Sequence, residues 1–200
     1  MTIAPAYPEA VMASTRRWVE RAVIGLNLCP FAKGVQAKGQ VHYAVSLADD
    51  ASALLADLKQ QLQELQSSDP AHRDTTLLIA PQAFPGFLDF NDFLVRADRL
   101  LRKLRLEGDF QIASFHPQFQ FADADPGDIS HYTNRAPYPI LHLLREESID
   151  RAVEAYPDAA QIYEKNMNTL RALGPAGWQA LDVGPLERCL TGPEAGDTAV

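Results

Sequence analysis

Three of the chain's five histidines fall between Phe115 and Glu146, in a stretch that also holds Asn134, Arg135 and Arg145 among prolines and aromatics. Imidazole is the side chain whose charge changes nearest neutral pH, so His116 and His142 are candidate proton donors or acceptors. Arg135 sits in Tyr132-Thr133-Asn134-Arg135-Ala136-Pro137-Tyr138-Pro139. Backbone stiffened by proline lowers the cost of holding a planar guanidinium against a carboxylate or phosphate. Arg135, Asn134, Gln118, Arg145 and Glu146 thus form a set suited to orient an anionic substrate. The competing reading is structural: an arginine paired with one of the many carboxylates, and a histidine hydrogen-bonded to backbone at a strand end.

Cys29 lies in Asn27-Leu28-Cys29-Pro30-Phe31-Ala32-Lys33-Gly34. If it ends the first helix, the helix dipole disfavours its thiolate; if Pro30 opens a new helical turn, Cys29 caps that turn and is activated as a nucleophile. A small buried apolar residue beside a proline turn is the third possibility. His142 and Glu146 would lie on one face in a strand and be neighbours in a helix, a pairing that suits proton transfer or a divalent metal. Cys29 or His116 would complete a zinc set, but no H-E-x-x-H motif occurs and no metal is assigned. Asp123, Asp125 and Asp128 do not match the calcium-loop register and are expected to form an acidic turn. Dinucleotide, P-loop and serine-hydrolase signatures are absent, and no cofactor is implied.

These side chains need a scaffold. Helical spacing from Glu9 to Leu26, with Gly25 and Asn27 as stop signals, predicts a first helix. Val41 to Leu47 alternates as a strand. Asp49 or Asp50 caps a helix lined by Leu54, Leu58, Leu62 and Leu65, and Thr75 to Ala80 reads as a strand buried on both faces. A helix starting near Asp89 is followed by Gly108, and Phe110 to His116 predicts a third strand. Tyr138 to Arg145 predicts a fourth, though Leu141, Leu143 and Leu144 would equally allow a helix start. Ser148 can cap a short helix to Tyr156, and Pro157-Asp158 opens another that ends at Gly174-Pro175. Strands alternating with helices imply α/β: one domain over residues 1–175 with a roughly four-stranded mixed or parallel sheet and flanking helices, then a poorly structured tail over 176–200. Ligands in such folds sit beyond the carboxyl ends of the strands, which here are Ser46 to Asp49, Ala80 to Gln82, and His116 with the loop behind it. A loop this long is usually functional or disordered, and its aromatics argue for an ordered wall of a site.

Two hundred residues at 46% hydrophobic content suit a folded core. A net charge of −8 and a pI near 5.0 oppose attraction to nucleic acid or anionic lipid. Without a spanning apolar run or a signal-like N-terminus, and with only two cysteines, a cytoplasmic protein is expected. Its oligomeric state is not legible.

Leu28-Cys29-Pro30-Phe31-Ala32, Phe115-His116-Pro117, Asn134-Arg135-Ala136-Pro137-Tyr138-Pro139 and His142-Leu143-Leu144-Arg145-Glu146, in that order, resemble an uncharacterised bacterial family, domain of unknown function 1415, over about Thr15 to Leu173. The resemblance implies one shared domain and lends no activity, cofactor or catalytic residue. The residues themselves lead to an enzyme acting on a small anionic metabolite, with His116 or His142 as acid or base, Arg135 as anion partner and Cys29 as nucleophile. The alternative is a noncatalytic protein binding a small ligand or divalent metal in the same pocket.

Overall fold

Each strand alternates its side chains between two faces, and here both faces are apolar, so helices must cover each. The computed structural model describes residues 7–154 and 161–185; the expected helix boundaries at Tyr156 and Pro157-Asp158, Cys189 and the last fifteen residues of the expected tail lie outside them. Strands β1 (Val41–Val45), β2 (Thr75–Ile79), β3 (Phe110–Phe115) and β4 (Ile140–Arg145) form one sheet in the order β1-β2-β4-β3. Only β1 and β2 are adjacent and parallel; β4 is antiparallel to both β2 and β3. The sheet is therefore mixed, with the last strand wedged between two that run together.

Helices α3 (Ala51–Ser67) and α4 (Phe87–Leu104) cover one face, packing Leu54, Leu58, Phe90 and Leu101 on Leu78, Leu141 and Leu143. Asp50 caps α3 by accepting from the backbone N–H of Ser52 and Ala53 at 2.6 and 2.9 Å, which satisfies donors that a helix start leaves open. Helix α4 ends at Arg105 in the left-handed region, φ 58°, rather than running to Gly108, whose φ of 84° shapes the turn into β3.

Helix α1 (Tyr7–Trp18) covers the other face, setting Val11, Trp18 and Ala22 against Tyr43, Leu77, Ile79 and Ile140. It continues as a π-helical turn, Val19–Ile24. Helices α2 (Ala32–Ala37), α5 (Glu146–Glu154) and α6 (Ile162–Ala180) complete the set.

The expected end of the last helix at Gly174-Pro175 needs correcting. Gly174 takes φ 67°, ψ 172° and kinks the chain, but Pro175 then starts a second helical segment, a position where its missing N–H costs nothing. Trp178 packs edge-on against Tyr132 at 4.8 Å, and Val183 is buried with α1. Arg17 donates to the Gly184 carbonyl, so apolar burial holds residues 176–184 on the domain. No helix among the described residues is long and apolar enough to cross a membrane.

At the end of β4, Arg145 turns toward α3. Its Nη2 donates to the Leu65 and Ser68 carbonyls, at 2.5 and 2.8 Å, closing orphan acceptors at the end of that helix. Arg145→Ala should therefore lower unfolding stability by about 2 kcal/mol in urea denaturation; a loss below roughly 0.5 kcal/mol, the range of a neutral surface change, would show that the cap contributes little.

Candidate functional site

One concavity is a cleft of about 570 Å³ on the α1 face of the sheet. One wall grows out of the π turn. Gly25 N–H reaches the Glu20 carbonyl at 3.0 Å, and Leu28 N–H reaches that of Val23 at 2.9 Å, both spanning five residues as π geometry requires. A Cβ on Gly25 would stand 2.2 Å from the Arg21 carbonyl oxygen, so glycine is required there. Asn27 at φ 55° then reverses the chain, as asparagine tolerates better than most residues. Cys29, Phe31 and Val35 follow along this wall; Val41, Leu77 and Leu144 form the sheet side and Ile149 with Ala152 the α5 side.

His142 lies on the sheet side, with its ring centroid 6.2 Å from that of Phe115. Its Nε2 is 2.7 Å from Thr75 Oγ1, which in turn stands 2.7 Å from the Leu143 carbonyl oxygen. A carbonyl only accepts, so the hydroxyl proton goes to Leu143 and the ring must donate its own from Nε2. Nδ1 is thereby left as an acceptor, and it has no protein partner among the described residues. Surrounding protein pushes the His142 pKa down to about 4, although the residue is only partly buried. The imidazole is neutral near pH 7.

Cys29 lies across the cleft. It ends the chain reversal just before α2 and receives the N–H groups of Phe31 and Ala32, but burial dominates and raises its pKa. Local donors favour a thiolate, as expected if Cys29 caps a new turn, but the desolvation expected of a buried packing residue outweighs them. Asn166 of α6 donates to the Leu28 carbonyl at 2.8 Å within the interior, holding this turn in place.

The other candidates sit elsewhere. His116 is 1% exposed; its Nδ1 accepts from Gln118 N–H and its Nε2 donates to the Phe84 carbonyl at 2.9 Å. Both ring nitrogens are occupied, the backbone-bonded geometry described above as the structural alternative, and burial lowers its pKa. Asn134 donates to the Ser114 carbonyl. Arg135 lies over the Tyr132 ring at 4.4 Å and donates from Nε to the Phe119 carbonyl. With Gln118 it lines a second cavity of about 650 Å³ beside the first turn of α4.

That second cavity occupies the carboxyl edge expected from topology. The cleft with Cys29 and His142 instead runs beneath the sheet toward the start of β1 and β2, so the single pocket expected from sequence is divided in two. Arg145 lines the cleft rim while its guanidinium is committed to α3. Glu146 begins α5, and its backbone N–H donates to the Asp109 carbonyl. The change from strand to helix between Arg145 and Glu146 removes both regular geometries that would have paired Glu146 with His142. Among the described residues, no three His, Cys, Asp or Glu side chains converge to hold a metal. Asp125 and Asp128 do form a turn, and Asp128 pairs with Arg171 at 3.0 Å.

A family model described as a protein of unknown function, DUF1415, matches residues 10–180, slightly beyond the span expected from the motifs and enough to include the whole sheet and every side of the cleft. The chain belongs to the DUF1415 family. No curated protein and no solved structure matches it. In this DUF1415 protein the important residue missed from sequence is Thr75. A threonine opening a buried strand is ordinary β-propensity, and only the strand register shows that it faces the ring of His142.

Two outcomes follow for the cleft. Between about pH 6.5 and 4 the unfolded chain protonates His142 while the folded one does not, so the contribution of His142 to stability should decline as pH falls through that window and be constant on either side of it. His142→Leu should remove this part of the slope, measured as the difference between urea-derived stabilities at each pH; identical slopes would show that the ring is not held neutral. In a Cys189→Ser background, iodoacetamide should modify native Cys29 with a midpoint above the free-thiol value of ~8.5; a lower midpoint would reveal an activated thiolate.

Proposed function

We propose that the protein captures a small, largely apolar molecule in the cleft between the π turn, the sheet and α5. The observation that carries this reading is the convergence of apolar walls on His142, one of whose ring nitrogens has no protein partner among the described residues. The volume of about 570 Å³ lies within the range of small-molecule sites. Apolar contact supplies affinity and a few polar groups supply orientation, the usual division in such pockets. The anionic substrate expected from sequence depended on Arg135 sharing a pocket with the histidine; since it lines the other cavity, this reading leaves it out.

An enzyme is the second reading, favoured by the presence of Cys29 and His142 in the same cleft. Both groups are neutral before ligand binds, so catalysis would require the substrate itself to perturb them. As parts of the same proposal, the protein acts in the bacterial cytoplasm and engages neither nucleic acid nor membrane, consistent with its acidic charge and low cysteine content.

Ala152→Trp fills the α5 side of the cleft without touching the core between sheet and helices. After incubation with a bacterial metabolite extract, native mass spectrometry should find small molecules retained by the wild type and lost from Ala152→Trp; equal retention would overturn the reading. A mass-shifted product made by the wild type and not by Cys29→Ser would decide for the enzyme.

A further inference from the structure

We propose that the cleft selects a neutral molecule with an apolar body and one hydroxyl or N–H donor, and discriminates against ligands that bring only acceptors to His142. This rests on the capture reading above and specifies its ligand class. The selectivity follows from the chain His142 Nε2–H to Thr75 Oγ1–H to Leu143 carbonyl, in which each group has one way to donate. The terminal carbonyl cannot reverse it. The lone pair on Nδ1 is therefore the feature presented to a ligand, and only a donor satisfies it.

An anion is poorly served at the same depth. A carboxylate beside Nδ1 sets acceptor against acceptor unless the ring takes a proton, and the apolar surroundings that hold its pKa near 4 oppose that. The charged groups of the rim do not compensate. Asp74 carries the wrong sign and accepts from Ser148 Oγ at 2.6 Å, Arg145 is engaged with α3, and Lys38 is exposed, where an ion pair contributes little. Across the cleft Cys29 is uncharged near neutral pH. A hydroxyl or ring N–H on an aromatic or aliphatic body gains the hydrogen bond and meets no opposing charge.

Indole and benzofuran test this directly, being close in shape while only indole donates; benzoate supplies the anion. Titrated into the wild type at up to millimolar concentration and followed by NMR, indole should bind about tenfold tighter than benzofuran, the factor expected for one net hydrogen bond, and benzoate should be weakest. Long-range ¹H–¹⁵N spectra should show His142 protonated at Nε2, with Nδ1 shifting on addition of indole. Thr75→Val keeps the side-chain shape and removes the acceptor that sets the tautomer, so the preference for indole should fall to parity or invert. Equal binding of indole and benzofuran to the wild type, tightest binding by benzoate, or an unchanged tenfold preference in Thr75→Val would overturn the donor rule while leaving the capture site standing. If no probe shifts any cleft resonance, the capture reading falls and the donor rule with it.

Discussion

The pairing of β4 on both of its edges is the constraint on which the rest of the structure depends. A strand in the middle of a sheet must place every backbone N–H and C=O against a neighbour. Ile140–Arg145 does so with Leu77 and Leu78 on one side and Ala113 and Ser114 on the other. Because β4 is antiparallel to both neighbours, the chain leaves the sheet at the edge where β1 and β2 begin. Helix α5 starts there immediately, closing the cleft on a side that an all-parallel sheet would have left to a different connection. The same register puts His142 opposite Leu77 and near Thr75.

The long connection between β3 and β4 is ordered by its own histidines. His116 joins the end of β3 to Phe84, which itself adopts φ 54°, a conformation costly for a bulky residue and held here by contacts with Phe90 and Phe93. His131 is fully buried and accepts from Phe121 N–H while its other nitrogen meets the Asp125 carbonyl. Two imidazoles thus act as neutral hydrogen-bonding links in backbone that has no ladder to join. Side chains of one type, close together in sequence, differ in whether backbone occupies both ring nitrogens: it does at His116 and His131, and does not at His142.

Burial also sets the chemical character of the cleft. Desolvation moves Cys29 upward and His142 downward, so the same apolar walls make both groups neutral. A catalytic thiol and imidazole are ordinarily tuned in the opposite directions, toward a thiolate and a basic ring. Under the capture reading proposed above, this tuning favours recognition of a ligand by hydrogen bonding over generation of a strong nucleophile. The Arg135 cavity differs: it lies beside a helix start, and its polar groups are Asp89 of α4 with Gln118, Gln120 and Arg135 from the loop that the histidines stabilise.

By itself the sequence determined most of the elements, the α/β class and the order of the loop, but neither α2 nor the π turn. Helical spacing identifies α3 and α4, two threonines and three aliphatics make β2 buried on both faces, and Asp50 announces a cap; each depends on neighbours within a few residues. It also identified Cys29 and His142 as worth attention. Only the tertiary structure decided that β4 enters antiparallel between β2 and β3, that residues after Pro175 pack onto α1, and that Cys29, His142 and Arg145 line one cavity, Gln118 and Arg135 another, and His116, Asn134 and Glu146 neither. The physical reason is the range of the interactions involved. Periodicity and capping are local, whereas strand register, the tautomer imposed by Thr75 on His142, and the capture of the Arg145 guanidinium by the end of α3 depend on groups roughly seventy to eighty residues apart in the chain.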